Sequence, residues 1–144
     1  MRWLVLVLLF QPDFSTVTLQ GLLLGVPAVM LGFGISFLLG ATITCVAFWT
    51  TRVYALNEFY HALVVLFGGQ FVPLELMPPF IQQLAQFLPF QLLKYFPVQL
   101  ILGRLPPEVI IRDFILAVVW FGLALALFQW VWRMGVRRFS AVGA

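Results

Sequence analysis

Apolar runs dominate this chain, and its few polar and proline positions decide where each run ends. Residues 1–10 are apolar after Arg2 but stop at Gln11, Pro12 and Asp13. That is well short of the ~20 residues a membrane-crossing helix needs, so the stretch reads as a helix stub. Arg2 ahead of an apolar run also fits the start of a signal peptide, although nothing like a small-x-small cleavage site follows before Asp13. Residues 17–49 are almost free of charge. One straight helix of that length would reach roughly 50 Å, past a hydrocarbon core of ~30 Å, so a break is expected. Pro27 lacks an amide hydrogen and crowds the preceding turn, which predicts a lead-in over 17–26, a span over 28–49, and a kinked element over 17–51 as a whole.

Arg52 closes that element, and the next apolar run, 53–72, carries Asn57, Glu58 and His61 in its first turns. Glu58 and His61 are three residues apart, share a helix face and could pair, which would lessen the cost of placing either in lipid. A polar cluster at the cytoplasmic headgroup level is the plain expectation for them. A proton or substrate relay is the alternative. Between 72 and 107 the prolines 73, 78, 79, 89, 97, 106 and 107 leave no room for a full span, and 73–106 is expected as an external hairpin. Residues 79–88 still place Phe80, Leu84, Phe87 and Leu88 opposite Gln82, Gln83 and Gln86. Residues 90–102 group Gln91, Lys94, Tyr95 and Gln99 against Leu92, Leu93, Phe96 and Leu100, with Pro97 expected to interrupt the helix. Two half-length amphipathic helices joined by proline turns predict a re-entrant hairpin or an interfacial collar, because bare irregular backbone is not tolerated in lipid. The last span, 107–133, opens on Pro106, Pro107 and Glu108, with Glu108 one turn from Arg112 and able to pair with it. Arg133, Arg137 and Arg138 follow, and 134–144 is expected as a tail.

Small residues Gly21, Gly25, Gly32, Ser36, Gly40 and Thr44 recur along 17–51 largely at four-residue spacing. Such a stripe suits close helix contact. The general frequency of glycine in membrane helices explains it equally well.

Composition agrees with the pattern: 63% of the 144 residues are hydrophobic, 9% are charged, and the mean hydropathy is +1.08. A soluble domain needs a polar coat these numbers do not leave, so the expected class is an all-α, polytopic helical membrane protein. It has about three full spans, the N-terminal stub and an external hairpin before the last span, in a single membrane domain. The net charge of +3 is not gathered into a basic stripe, so nucleic acid is not an expected partner. Cys45 is the single cysteine, inside an apolar run, and cannot form an internal disulfide. Glu58-x-x-His61 is at most half of a di-metal motif, and no second half or further carboxylate set accompanies it, so no metal and no cofactor are expected. No Ser/His/Asp set or zinc motif suggests an enzyme. The arginines at 133, 137 and 138 place the C-terminus in the cytoplasm by the positive-inside rule. Arg52 and Arg2 then fall inside, while residues 11–16 and the hairpin, despite Lys94 and Arg104, fall outside.

The run Gly68-Gly69-Gln70-Phe71-Val72-Pro73-Leu74-Glu75-Leu76-Met77-Pro78 resembles the glycine-pair and double-proline pattern that precedes the last helix of ABC exporter permeases of the second export type. Ala47-Phe48-Trp49, Leu88-Pro89-Phe90 and the tail from Arg133 to Gly143 are similar to a less characterised bacterial branch of that family. The resemblance covers about 28–144 and the C-terminal half of a usual six-span permease. It implies a transmembrane subunit of the bacterial inner membrane that forms a homodimer or a heterodimer with another permease chain. It further implies a separate ABC ATPase, since no phosphate-cradling loop exists here, and outward movement of an unknown substrate. In such a subunit the hairpin marked by Gly68, Gly69, Pro73, Pro78 and Pro89 helps close the exit. A membrane scaffold that transports nothing is the other reading.

Overall fold

The computed structural model describes residues 17, 19–50, 52–68 and 76–140, with the side chains of 138–140 excepted. The expected stub at 1–10 lies outside the described residues, as do Gly69, Pro73 and the end of the 53–72 run. Among the described residues all regular structure is helical, in the order α1 (Leu19–Cys45, continued by a 3₁₀ turn Val46–Phe48), α2 (Val53–Phe67), α3 (Pro79–Phe87), α4 (Phe90–Leu93), α5 (Tyr95–Ile101) and α6 (Pro107–Ser140).

Two of these helices are long and apolar enough to cross a bilayer, Leu19–Phe48 and Pro107–Arg137. The core helix of a soluble protein would also pass that test, but it would be mostly covered. Here only 28% and 11% of the most apolar windows are buried, and side chains such as Phe33, Phe37 and Met30 stand open. Water would not tolerate so much contiguous apolar surface, whereas lipid makes it ordinary. The chain is therefore an all-α membrane protein. The third apolar helix, α2, is 15 residues in its described extent, about 22 Å.

α1 runs through Pro27 without interruption, so the helix is not divided there into a lead-in and a span. Proline at 27 costs the bond its amide would give to the carbonyl of residue 23, and the helix carries that local loss. α6 likewise does not end at Arg133 but continues as helix through Arg137 and Arg138 to Ser140. It starts where the prolines predict, with Pro106 accepting the amides of Val109 and Ile110 at 3.0 and 3.2 Å and Pro107 at the first helical position.

α1 and α6 share the largest contact in the fold, and they run parallel. A Cβ placed at Gly34 would approach a ring carbon of Phe121 to 2.6 Å, and one at Gly135 would collide with the ring of Phe48. Residue levels thus rise together along the two helices. α2 returns antiparallel, with its Tyr60 hydroxyl 3.4 Å from that of Ser36.

The hairpin α3–α4–α5 enters from the end where α1 and α6 begin and reaches down to Gly32. A Cβ there would stand 2.9 Å from the carbonyl oxygens of both Leu92 and Leu93, so backbone meets backbone. Climbing back, α5 brings Ile101 against Gly25. Ile35, Leu92, Phe96, Leu100 and Ala117 form the centre of the core, and Phe96 meets Phe114 edge to face at 5.2 Å between ring centres. The helix break falls at Lys94 (φ −139°, ψ −48°), not at Pro97. Pro97 is the third residue of α5, in the first turn, where a missing amide hydrogen leaves no helical bond unmade.

The seat at Gly32 generates a test. Gly32→Leu must push backbone apart and is expected to destabilise the protein by about 1–3 kcal/mol. Gly122→Ala, with nothing within 4 Å of the new methyl, is expected to be neutral or stabilising by up to about 1 kcal/mol. Thermal unfolding of both variants in detergent gives the comparison.

Candidate functional site

Where the hairpin leans on the start of α6 it encloses a polar pocket of about 180 Å³ lined by Gln82, Gln86, Gln91, Tyr95, Arg112 and Asp113, with Leu105 and Val109 completing the wall. α3 supplies Gln82 and Gln86 from the polar side of its amphipathic face, as the spacing predicts. Gln91, on the polar side of its segment by sequence with Lys94, Tyr95 and Gln99, is nevertheless buried, at 5% exposed. Its amide is placed to donate to the Gln86 carbonyl at 3.4 Å, one of the carbonyls a helix of nine residues leaves unpaired at its end. Gln82 similarly donates to the Met77 carbonyl at 2.7 Å.

Asp113 is also buried, although nothing in the apolar pattern of α6 singles it out. Arg112 Nε donates to its Oδ1 at 2.9 Å, so Arg112 pairs with its sequence neighbour rather than with Glu108 one turn away. The pocket therefore presents amides, a phenol and a compact ion pair. That set can accept and donate hydrogen bonds to a passing polar group, but it contains no nucleophile with an adjacent base. Among the described residues no cluster of three His, Cys, Asp or Glu could hold a metal ion.

The tip of the hairpin is held by one residue the sequence reading missed. Trp120 of α6 donates its indole N–H to the carbonyl of Phe87, the last residue of α3, at 3.1 Å. Tryptophan is abundant in membrane helices for other reasons, so only its place mid-span, far from either interface, could have marked it. Pro78 and Pro89 sit at the N-caps of α3 and α4 and set the two bends of the hairpin. Gly68 closes α2, its amide donating to Val64 at 2.9 Å, and a Cβ there would collide with that carbonyl.

Glu58 and His61 flank Tyr60 on α2 and are both exposed. His61 packs its ring on Tyr60 at 5.5 Å, and the expected pairing of Glu58 with His61 is not among the ion pairs of the described residues. Because Tyr60 stands opposite Ser36, near the midpoint of Leu19–Phe48, both residues lie about 8–12 Å along α2 from its start rather than at its mouth. Arg52, Arg133 and Arg137 are exposed and gather at the opposite end of the bundle from the hairpin. The side chain of Arg138 lies outside the described residues.

Trp120→Phe keeps the aromatic packing and removes only the donor to Phe87. It is expected to lower stability by about 1 kcal/mol, with Trp120→Ala costing more, as read by thermal unfolding in detergent.

Compared with known proteins, residues 6–143 match the family described as ABC-2 family transporter protein. No curated protein and no solved structure matches.

Proposed function

We propose, because the chain belongs to the ABC-2 transporter family, that its role as a permease is to carry a substrate outward across a bacterial inner membrane at the expense of ATP hydrolysed by a separate subunit. The observation that carries this reading is the hairpin packed on α1 and tied to α6 by the Trp120–Phe87 bond and the Phe96–Phe114 ring contact, with a polar pocket on its flank. A transport path needs an element that both blocks the bilayer and offers polar contacts. The Gly32 seat and the Trp120–Phe87 bond supply the first, and the glutamines, Tyr95 and the Arg112–Asp113 pair supply the second.

The arginine-bearing end is the cytoplasmic one under the positive-inside rule, which puts the C-terminus inside and the hairpin at the exit. There the segment framed by Gly68, Gly69, Pro73, Pro78 and Pro89 acts as the outer closure. Glu58 and His61 serve as polar groups of the path. An ionised side chain facing lipid at the centre of a span costs about 2.5–3.5 kcal/mol, so their exposed positions favour a water-filled cavity or a second permease chain beside α2. The assembly is accordingly a dimer of permease chains, identical or not, with two ATPase subunits docked on the arginine end.

A tagged full-length chain extracted from its native membrane is expected to bring down an ABC ATPase, and the complex to hydrolyse ATP while the purified permease alone does not. Recovery of the chain with other membrane proteins but no nucleotide-binding partner would favour the scaffold reading.

A further inference from the structure

The hairpin ends its descent on a lysine. A Cβ at Gly32 would stand 3.2 Å from the Cα of Leu93, and Gly32 is roughly 20 Å along α1 from Leu19 and slightly farther from Phe48. Lys94, the next residue, is therefore close to the middle of the membrane, and it is exposed. Two more ionisable groups reach that depth on α2. Its Tyr60 meets Ser36, and farther along it a Cβ at Gly68 would lie 3.5 Å from the Phe90 carbonyl oxygen, so α4 descends beside the upper part of α2. Counted from these contacts at about 1.5 Å per residue, Lys94, His61 and Glu58 fall within about 10 Å of one another in depth.

They also share a side of the bundle. The His61 ring packs on Tyr60 at 5.5 Å and Tyr60 packs on Phe90 at 6.2 Å, a line of rings that runs from His61 to the hairpin. Glu58 shares the helix face of His61. Lys94 comes one turn after Phe90, whose ring meets both Tyr60 and Phe67 of α2. All three residues are exposed, and none is paired with another among the ion pairs of the described residues.

An ammonium and a carboxylate at that depth are not tolerated against hydrocarbon, and the headgroups are too far for a lysine stem to carry its charge out to them. We propose that α2 and the hairpin tip border one water-filled vestibule that reaches the middle of the membrane, with Lys94 and Glu58 as its opposite charges and His61 between them in depth. The vestibule deepens the permease reading, on which it rests for its use as a path.

The test is cysteine labelling of the full chain in native membranes, in a Cys45→Ser background. Glu58→Cys, His61→Cys and Lys94→Cys are made singly, with Val118→Cys as the control. Val118 is exposed and lies at a similar depth on α6, one turn before the Phe121 that meets Gly34. Small charged methanethiosulfonates react with thiolates, which form in water and not in hydrocarbon, so the three vestibule positions are expected to react about 100-fold faster than the control. Charge reports whether one space joins them. At His61→Cys, adding Lys94→Gln is expected to lower the ratio of sulfonate-reagent to trimethylammonium-reagent rates about fivefold, and adding Glu58→Gln to raise it. Positions 58, 61 and 94 as unreactive as Val118→Cys would overturn the vestibule, as would a ratio that Lys94→Gln leaves unchanged. Neither readout needs an ATPase or a known cargo, so a dry face defeats this assignment and leaves the permease reading to the co-purification experiment.

Discussion

Backbone that leaves a helix inside lipid must find its hydrogen bonds in the protein, and the architecture follows from meeting that demand at the hairpin tip. Between Phe87 and Tyr95 the chain stops and restarts helix twice in nine residues. No single helix could do this in hydrocarbon without stranding carbonyls. The bundle answers with close cover and specific donors: Gly32 lets the backbone of Leu92 and Leu93 lie directly on α1, Trp120 reaches across to the Phe87 carbonyl, and Gln91 turns inward to Gln86. The tip rests its backbone on α1, and α6, packed parallel on α1, reaches it through the Trp120 indole.

The elements themselves were largely legible in the sequence. Proline spacing and amphipathic periodicity point to α3 and to the start of α6, because those signals are local. What the pattern missed were matters of company. The break at Lys94 was assigned to Pro97 because a proline is an obvious interruption, yet in a first turn it interrupts nothing. Polarity groups Gln91 with Lys94, Tyr95 and Gln99, yet the open carbonyl of Gln86 at the end of α3 holds its amide inside. Arg112 was paired with Glu108 by helix spacing, and the pocket that buries Asp113 drew it to the adjacent residue instead. Trp120 as a cap was invisible, since its acceptor lies 33 residues away in sequence.

Glycine on α1 shows how one sequence feature divides into two uses. Its early members permit the backbone contact that seats the hairpin, and its later members, carried round by helical drift, lie in an open surface groove beside Phe128 and Trp132 of α6. The same repeat therefore serves permease architecture at one end and an environment-facing groove at the other. The Arg-rich end and the polar, hairpin-covered end are equally distinct in chemistry.

The central claim is that the returning arm of the hairpin lies against α1 inside the bundle rather than on the membrane surface. A Cβ at Gly25 would stand 3.9 Å from the Cβ of Ile101, within the roughly 3.5–4.5 Å that a disulfide spans. Gly25→Cys with Ile101→Cys, in a chain whose Cys45 is replaced by serine, should therefore cross-link in native membranes on mild oxidation. A doubly substituted protein that keeps its cooperative thermal transition yet leaves both thiols free would contradict the inserted hairpin.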